Sequence, residues 1–224
     1  DLAIIVVDVN KPEQLPALQK EIYEASLRLN QRLPNVKIAK KARGGVSVAS
    51  TLKLSWLDQR TIIDVLKEFR IFNADVLIRE DITVEQFIDV IEANKVYLPS
   101  IVALNKMDMV DEETLHKVVG QTNPDLCISA HHQINTDQLK DLIFEKLNFI
   151  RVHCKEVGTK AYMNVPMIMR RGQTIRDMCE KLHRDFVTKF KFSKVWGKSS
   201  EFPGQRFLLN HGLLDGDVVE LHIG

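Results

Sequence analysis

The sequence predicts an α/β protein: a parallel-sheet domain, interrupted by a small α+β insertion and followed by a small mixed sheet. Three observations carry this. The run Asp1-Leu-Ala-Ile-Ile-Val-Val-Asp8 is apolar between two acids, the pattern of a central parallel strand covered on both faces. Buried strands and amphipathic helices alternate again over residues 83–153. From residue 154 the order changes to strand, helix and then several short strands. A length of 224 residues also exceeds the roughly 150 of one typical domain.

Residues 1–29 read as a strand, a turn at Asn10-Lys11-Pro12 and a helix with Leu15, Leu18, Ile22, Ala25 and Leu29 on its inner face. Residues 30–82 differ in character. Val36-Lys-Ile-Ala39 and the alternating run Val46 to Leu54 flank Gly44-Gly45 and predict a hairpin. A helix over 59–69 and a strand over 75–78 follow, an order unlike βαβ. In 83–153, Thr83 and Gln86 form a capping box, Pro99 to Leu104 is a buried strand, and 111–119 is a helix. A strand over 125–128 and a helix capped by Thr136 and running to Ile150 complete this stretch. In 154–224, strands at 165–169, 190–195, 205–208 and 217–223 surround a helix capped by Thr174, with Met178, Leu182 and Phe186 inward. That order suggests a ubiquitin-like β-grasp.

Composition excludes several classes. With 45% hydrophobic and 27% charged residues the chain is neither disordered nor collagenous, and no apolar run approaches the roughly 18 residues of a membrane span. Cys127, Cys154 and Cys179 are dispersed and lack metal spacing, so a cytoplasmic setting without disulfides or a zinc site is expected. A chain that opens inside a buried strand is expected to be part of a longer protein. The net charge of +1 hides an uneven distribution. Arg28, Arg32, Lys37, Lys40, Lys41, Arg43 and Lys53 are seven cations with no acid among them, which predicts contact with RNA. Arg170, Arg171, Lys194 and Lys198 are further candidate phosphate contacts in the final stretch, and Trp196 reads chiefly as packing beside them.

The motif with most chemical content is Asn105-Lys106-Met107-Asp108, directly after the buried strand. Ligands of open α/β sheets sit beyond the carboxyl ends of strands. The next strand ends in Ser129-Ala130, on the adjacent βα loop. A guanine base presents N1–H and an exocyclic amine side by side, so the Asp108 carboxylate can accept both bonds. Adenine offers no such pair and would leave the carboxylate unpaired. Asn105 can reach N7, the Lys106 stem can lie along the base plane, and the Ala130 N–H can meet O6. No Gly-x4-Gly-Lys-Ser/Thr and no Asp-x-x-Gly occurs, so the chain carries half a nucleotide site and no catalytic residue is assigned. Gly197-Lys198-Ser199 is a decoy between strands, and His131-His132 beside Cys127 read as loop histidines rather than metal ligands.

These motifs, with Ile71 to Asp81, Phe87 to Ile91, Val195-Trp-Gly197, Gln205-Arg206 and Leu209-Asn-His211, resemble the DRG (developmentally regulated GTP-binding protein) family, an Obg-related branch of translation-factor GTPases. The resemblance implies that 1–29 and 83–153 are the C-terminal half of a P-loop GTPase domain. It implies that 30–82 is an insertion similar to domain 2 of a ribosomal small-subunit protein, and that 154–224 is a TGS domain of β-grasp type. It further implies GTP or GDP as ligand, with Mg²⁺ in the full-length protein, and a ribosome, RNA or DRG-family regulatory protein as partner, with neither membrane nor DNA expected. His131 stands where many GTPases carry Lys. The full-length protein is expected to hydrolyse GTP, and these 224 residues alone to lack turnover. A non-catalytic RNA- or ribosome-binding assembly that uses half a G domain as scaffold is the alternative.

Overall fold

The computed structural model describes residues 1–159 and 163–224, which form two compact units, residues 3–127 and 128–224. In the first, β1 (Ala3–Asp8) leads through a turn into α1 (Gln14–Glu24). The helix stops there because Ser26 adopts a left-handed φ of 66°. The chain turns into β2 (Leu27–Leu29) instead of continuing as the helix expected through Leu29. The small three-stranded sheet is built from β3 (Val36–Lys40), β4 (Val46–Ser50), α2 (Gln59–Glu68) and β5 (Ala74–Ile78). Then come α3 (Val84–Glu92), β6 (Val96–Leu98), β7 (Ser100–Asn105), α4 (Glu112–Thr122) and β8 (Leu126–Cys127). The capping box on α3 is present: Thr83 Oγ1 accepts from the Gln86 N–H and Gln86 Oε1 from the Thr83 N–H.

The sheet that carries the Asn105 loop has the order β1-β7-β8, all parallel. Ile5, Val7, Val9, Leu15, Leu104 and Val118 form its core. On the opposite face Ile4 and Val6 are 40% and 52% exposed, and β1 is the edge strand of this sheet. The expectation of a strand covered on both faces is therefore met on one face only within these residues. β2 and β6 form a two-stranded parallel ribbon of their own, and Leu29 of β2 packs against the core of that sheet.

The expected hairpin of β3 and β4 does not form. The order is β3-β5-β4, with β5 antiparallel to β3 and parallel to β4, so β4-α2-β5 is a βαβ unit after all. The physical reason is burial. Ala74, Val76 and Ile78 of β5 are each at most 1% exposed, whereas β3 and β4 alternate apolar residues with Lys and Ser and suit the edges. Phe87 of α3 is fully buried in this same core, beside Ile62, Leu66 and Ile82.

The second unit opens with α5 (Thr136–Lys146) and continues with β9 (Phe149–Lys155), β10 (Met167–Arg170), α6 (Ile175–Leu182), α7 (Asp185–Thr188), β11 (Phe190–Trp196), β12 (Gln205–Phe207) and β13 (Asp217–Ile223). Here α5 ends at Lys146 because Asn148 takes a left-handed φ of 53°, so Ile150 lies in β9 rather than on the helix stripe expected for it. The sheet order β10-β9-β13-β11-β12, with a parallel β9–β13 pair at its centre and α6 packed on one face, is a β-grasp. Its core is Ile150, Val152, Met169, Ile175, Met178, Val195, Leu213 and Val219. A capping box joins Thr174 and Asp177. Phe186 packs inward, but from α7, and Leu182 is 41% exposed.

Candidate functional site

The loop after β7 begins where burial ends. Ile101, Ala103 and Leu104 are fully buried, and the in-register parallel pair Asp8↔Asn105 brings the carboxyl ends of β1 and β7 level. The Val9 N–H donates to the Asn105 carbonyl over 3.0 Å, which ties the two ends together. Beyond Asn105 the chain makes a sharp exit. Lys106 adopts a left-handed φ of 64°, sparsely populated by residues with a side chain. Its N–H donates to the Asn105 side-chain oxygen at 2.8 Å. A 3-10 turn, Met107–Met109, follows and is closed by the Met109 N–H on the Lys106 carbonyl. Asp111 then caps α4, accepting the Thr114 N–H at 2.8 Å, and that bond holds its carboxyl below the usual carboxylate range.

Asn105 is half-buried, and Lys106 and Asp108 are exposed on the same short loop. The Lys106 ammonium does not float: its Nζ lies 2.7 Å from Asp8 Oδ2. Asp8 is thus a partner of the candidate loop that the sequence reading missed. Its signal was available, since a carboxylate at the end of one parallel strand lies beside whatever leaves the next. The Lys106 bond, with further bonds from Asn10, pulls the Asp8 carboxyl to about 2.

Ser129 and Ala130, in the second unit, sit at the start of a tight loop. Ser129 is fully buried and exchanges both backbone hydrogen bonds with Ile134, while its Oγ accepts the His132 N–H. Ala130 is exposed. The His131 and His132 rings meet edge to face at 4.7 Å. Among the described residues no cluster of three or more His, Cys, Asp or Glu is placed to hold a metal, and no helix is long and apolar enough to cross a membrane.

The basic run is less uniform than its sequence. Arg28 is 3% exposed and bound to Asp89 through two hydrogen bonds of 2.6 and 2.8 Å, so it faces no partner. Arg32 pairs with Glu80 and Lys41 with Asp75. The seven cations are therefore not all uncompensated: three are matched by acids brought from far along the chain. Lys37, Lys40, Arg43 and Lys53 are exposed. In the second unit Arg170, Arg171 and Lys198 are exposed, whereas Lys194 is drawn to 3.5 Å from the buried Glu220, which Lys155 and His222 also hold. Trp196 is half-buried with the Lys155 ammonium 4.1 Å from its ring centroid. Gly197 lies against Asp217, whose carboxylate accepts the Ser199 and Leu214 N–H groups, so Gly197-Lys198-Ser199 is a structural turn of the β-grasp.

Two family descriptions match the chain. The C-terminal region of MMR_HSR1 domain covers residues 43–149, and the TGS domain covers 153–223. An uncharacterized GTP-binding protein of Methanocaldococcus jannaschii is 49% identical over 228 aligned residues, covering 100% of this chain and 58% of that protein. GTP-binding protein 1 of Schizosaccharomyces pombe is 35% identical, covering 99% of this chain and 61% of its own length. Developmentally-regulated GTP-binding protein 2 of Homo sapiens is 33% identical with the same coverage. The chain thus spans between 58% and 61% of the length of these relatives.

Proposed function

This chain belongs to the DRG family, and from that membership we propose that its Asn105–Asp108 loop selects the guanine base of GTP or GDP. The observation that carries the proposal is the exposed Asp108 on a loop fixed at the carboxyl ends of parallel strands. Its carboxylate accepts the N1–H and the exocyclic amine together, Asn105 meets N7, and the Lys106 stem covers the base. Phosphate and Mg²⁺ contacts are assigned to none of these residues, whose proposed part is the base alone. In the full-length protein the outcome is GTP hydrolysis, to which this region contributes base specificity.

A second role is supported by the exposed Lys37, Lys40, Arg43 and Lys53 around the Gly44-Gly45 turn, and by Arg170, Arg171 and Lys198 in the β-grasp unit. These would contact RNA phosphates on a ribosome, placing the protein in translation in the cytoplasm, where its three free cysteines would remain reduced.

Base selection is tested by competition in the full-length protein. ITP lacks the exocyclic amine and forfeits one charge-assisted bond of about 1.5–3 kcal/mol, so it should bind roughly ten- to a hundredfold more weakly than GTP. ATP should not compete. Equal affinity for ITP and GTP would remove Asp108 from the base pocket.

A further inference from the structure

Lys106 is held at three points. Its own backbone N–H binds Asn105 Oδ1 at 2.8 Å, its carbonyl accepts the Met109 N–H at 2.9 Å, and its ammonium binds Asp8 Oδ2 at 2.7 Å. The first two bonds are local and set the sharp turn. The third is not: it spans 98 positions in sequence and runs from the end of β7 to the end of β1. The two carboxylate oxygens of Asp8 divide their work. Oδ1 accepts the backbone and side-chain N–H groups of Asn10, which fixes the carboxylate, and Oδ2 is left pointing at Lys106. Asp8 is the better buried partner, with its side chain 22% exposed against 55% for Lys106. A fixed acid therefore holds a mobile cation. A lysine side chain carries a large rotamer entropy, and a free Lys106 would sample many orientations. Tethered at its tip to the end of β1, its four-carbon stem has far fewer orientations open to it.

We propose that Asp8 is a positioning residue for guanine recognition, which acts by tethering the Lys106 ammonium so that the lysine stem is laid out in advance as a floor for the base. This rests on the assignment of the Asn105–Asp108 loop to the guanine base. Asp8 touches neither base nor phosphate in this arrangement. Its effect is to remove the entropy that Lys106 would otherwise lose on binding, and so it acts on affinity for any purine that the loop admits. Asp108, in contrast, acts on the choice between purines.

That division gives the test, in the full-length protein. Asp8→Asn keeps the size and the Asn10-facing oxygen but loses the charge. Affinity for GTP and for ITP should both fall by about three- to tenfold, as for a partly exposed ion pair with good geometry, while their ratio stays unchanged. In a Lys106→Met background, which keeps an apolar stem and removes the ammonium, Asp8→Asn should have no further effect. Asp8→Glu retains the charge and should recover most of the affinity. If Asp8→Asn binds GTP within about 1.5-fold of the parent, or costs the same in the Lys106→Met background, the tether is irrelevant and Asp8 merely closes its own turn; strong GTP over ITP selectivity in that experiment leaves the guanine assignment standing. If the parent does not distinguish GTP from ITP, the guanine assignment fails and the positioning role falls with it.

Discussion

Arg28 and Asp89 are the most consequential polar pair in the first unit, and removing one partner should expose that. They lie 61 positions apart, one on β2 and the other on α3, with side chains 4% and 6% exposed. The guanidinium donates twice to the carboxylate, again to the Tyr23 carbonyl at 2.9 Å and the Leu27 carbonyl at 3.3 Å, and lies 3.6 Å over the Tyr23 ring. Asp89→Ala strands a buried cation, for which losses of about 3–5 kcal/mol are typical. The lower end applies here, about 3 kcal/mol, because two carbonyls and one aromatic face continue to stabilise the guanidinium. That is a factor of about 150 in the unfolding equilibrium. The double variant Arg28→Met, Asp89→Leu should recover most of the loss, since two apolar side chains need no partner. Urea unfolding followed by far-UV circular dichroism reads this loss. A loss below about 1 kcal/mol for Asp89→Ala would mean that the pair is solvated and that the burial argument is wrong.

Gly197→Ala should destabilise the β-grasp by about 2–4 kcal/mol, because a Cβ there meets the Asp217 carboxylate and lies 2.9 Å from the Asp217 Cα, at a backbone φ of 148°; Trp196 fluorescence in a Trp56→Phe background reads it. Four exposed cations, Lys37, Lys40, Arg43 and Lys53, each on one phosphate, give a log-log salt slope of about −2.8 for single-stranded RNA, hence about fiftyfold weaker binding at 200 mM than at 50 mM salt. Reversing Lys37, Lys40 and Arg43 should flatten the slope by about 2, whereas replacing the buried Arg28 should leave it unchanged. Asp8 should titrate at about 2, pulled below the ordinary value chiefly by the Lys106 bond. The folded value is the depressed one, so the stabilisation by this pair is complete above the unfolded carboxylate value and lost as pH falls through about 2. Lys106→Met should return the Asp8 carboxyl resonance in an NMR titration toward the ordinary range.

Much of the architecture was legible because it is written in local pattern. The apolar runs of β1 and β7, the capping box at Thr83, the cap at Thr174 and the short strands around α6 are each set by residues a few positions apart. The failures share the opposite cause. Arg28 belonged to a basic run by sequence, yet Asp89 pairs it across the fold. Val36–Lys40 and Val46–Ser50 are neighbours in sequence around a Gly-Gly turn, yet the more apolar β5 takes the place between them. Leu29 and Ile150 fit helical spacing, but Ser26 and Asn148 turn left-handed first and convert both segments to strands. At the site, Asn105, Lys106 and Asp108 were found by motif, while Asp8 becomes visible only through the parallel register of β1 and β7.

The central claim is that the Asp108 carboxylate reads the Watson–Crick edge of guanine. The most direct measurement is the affinity of the full-length Asp108→Asn variant for GTP and for XTP. An amide places a donor where the carboxylate placed an acceptor, and xanthine presents an oxygen where guanine presents its amine. The variant should lose GTP by at least about tenfold, one bond to a charged group at the low end of its range, and come to prefer XTP. A variant that keeps the parent's affinity for GTP and gains none for XTP would contradict it.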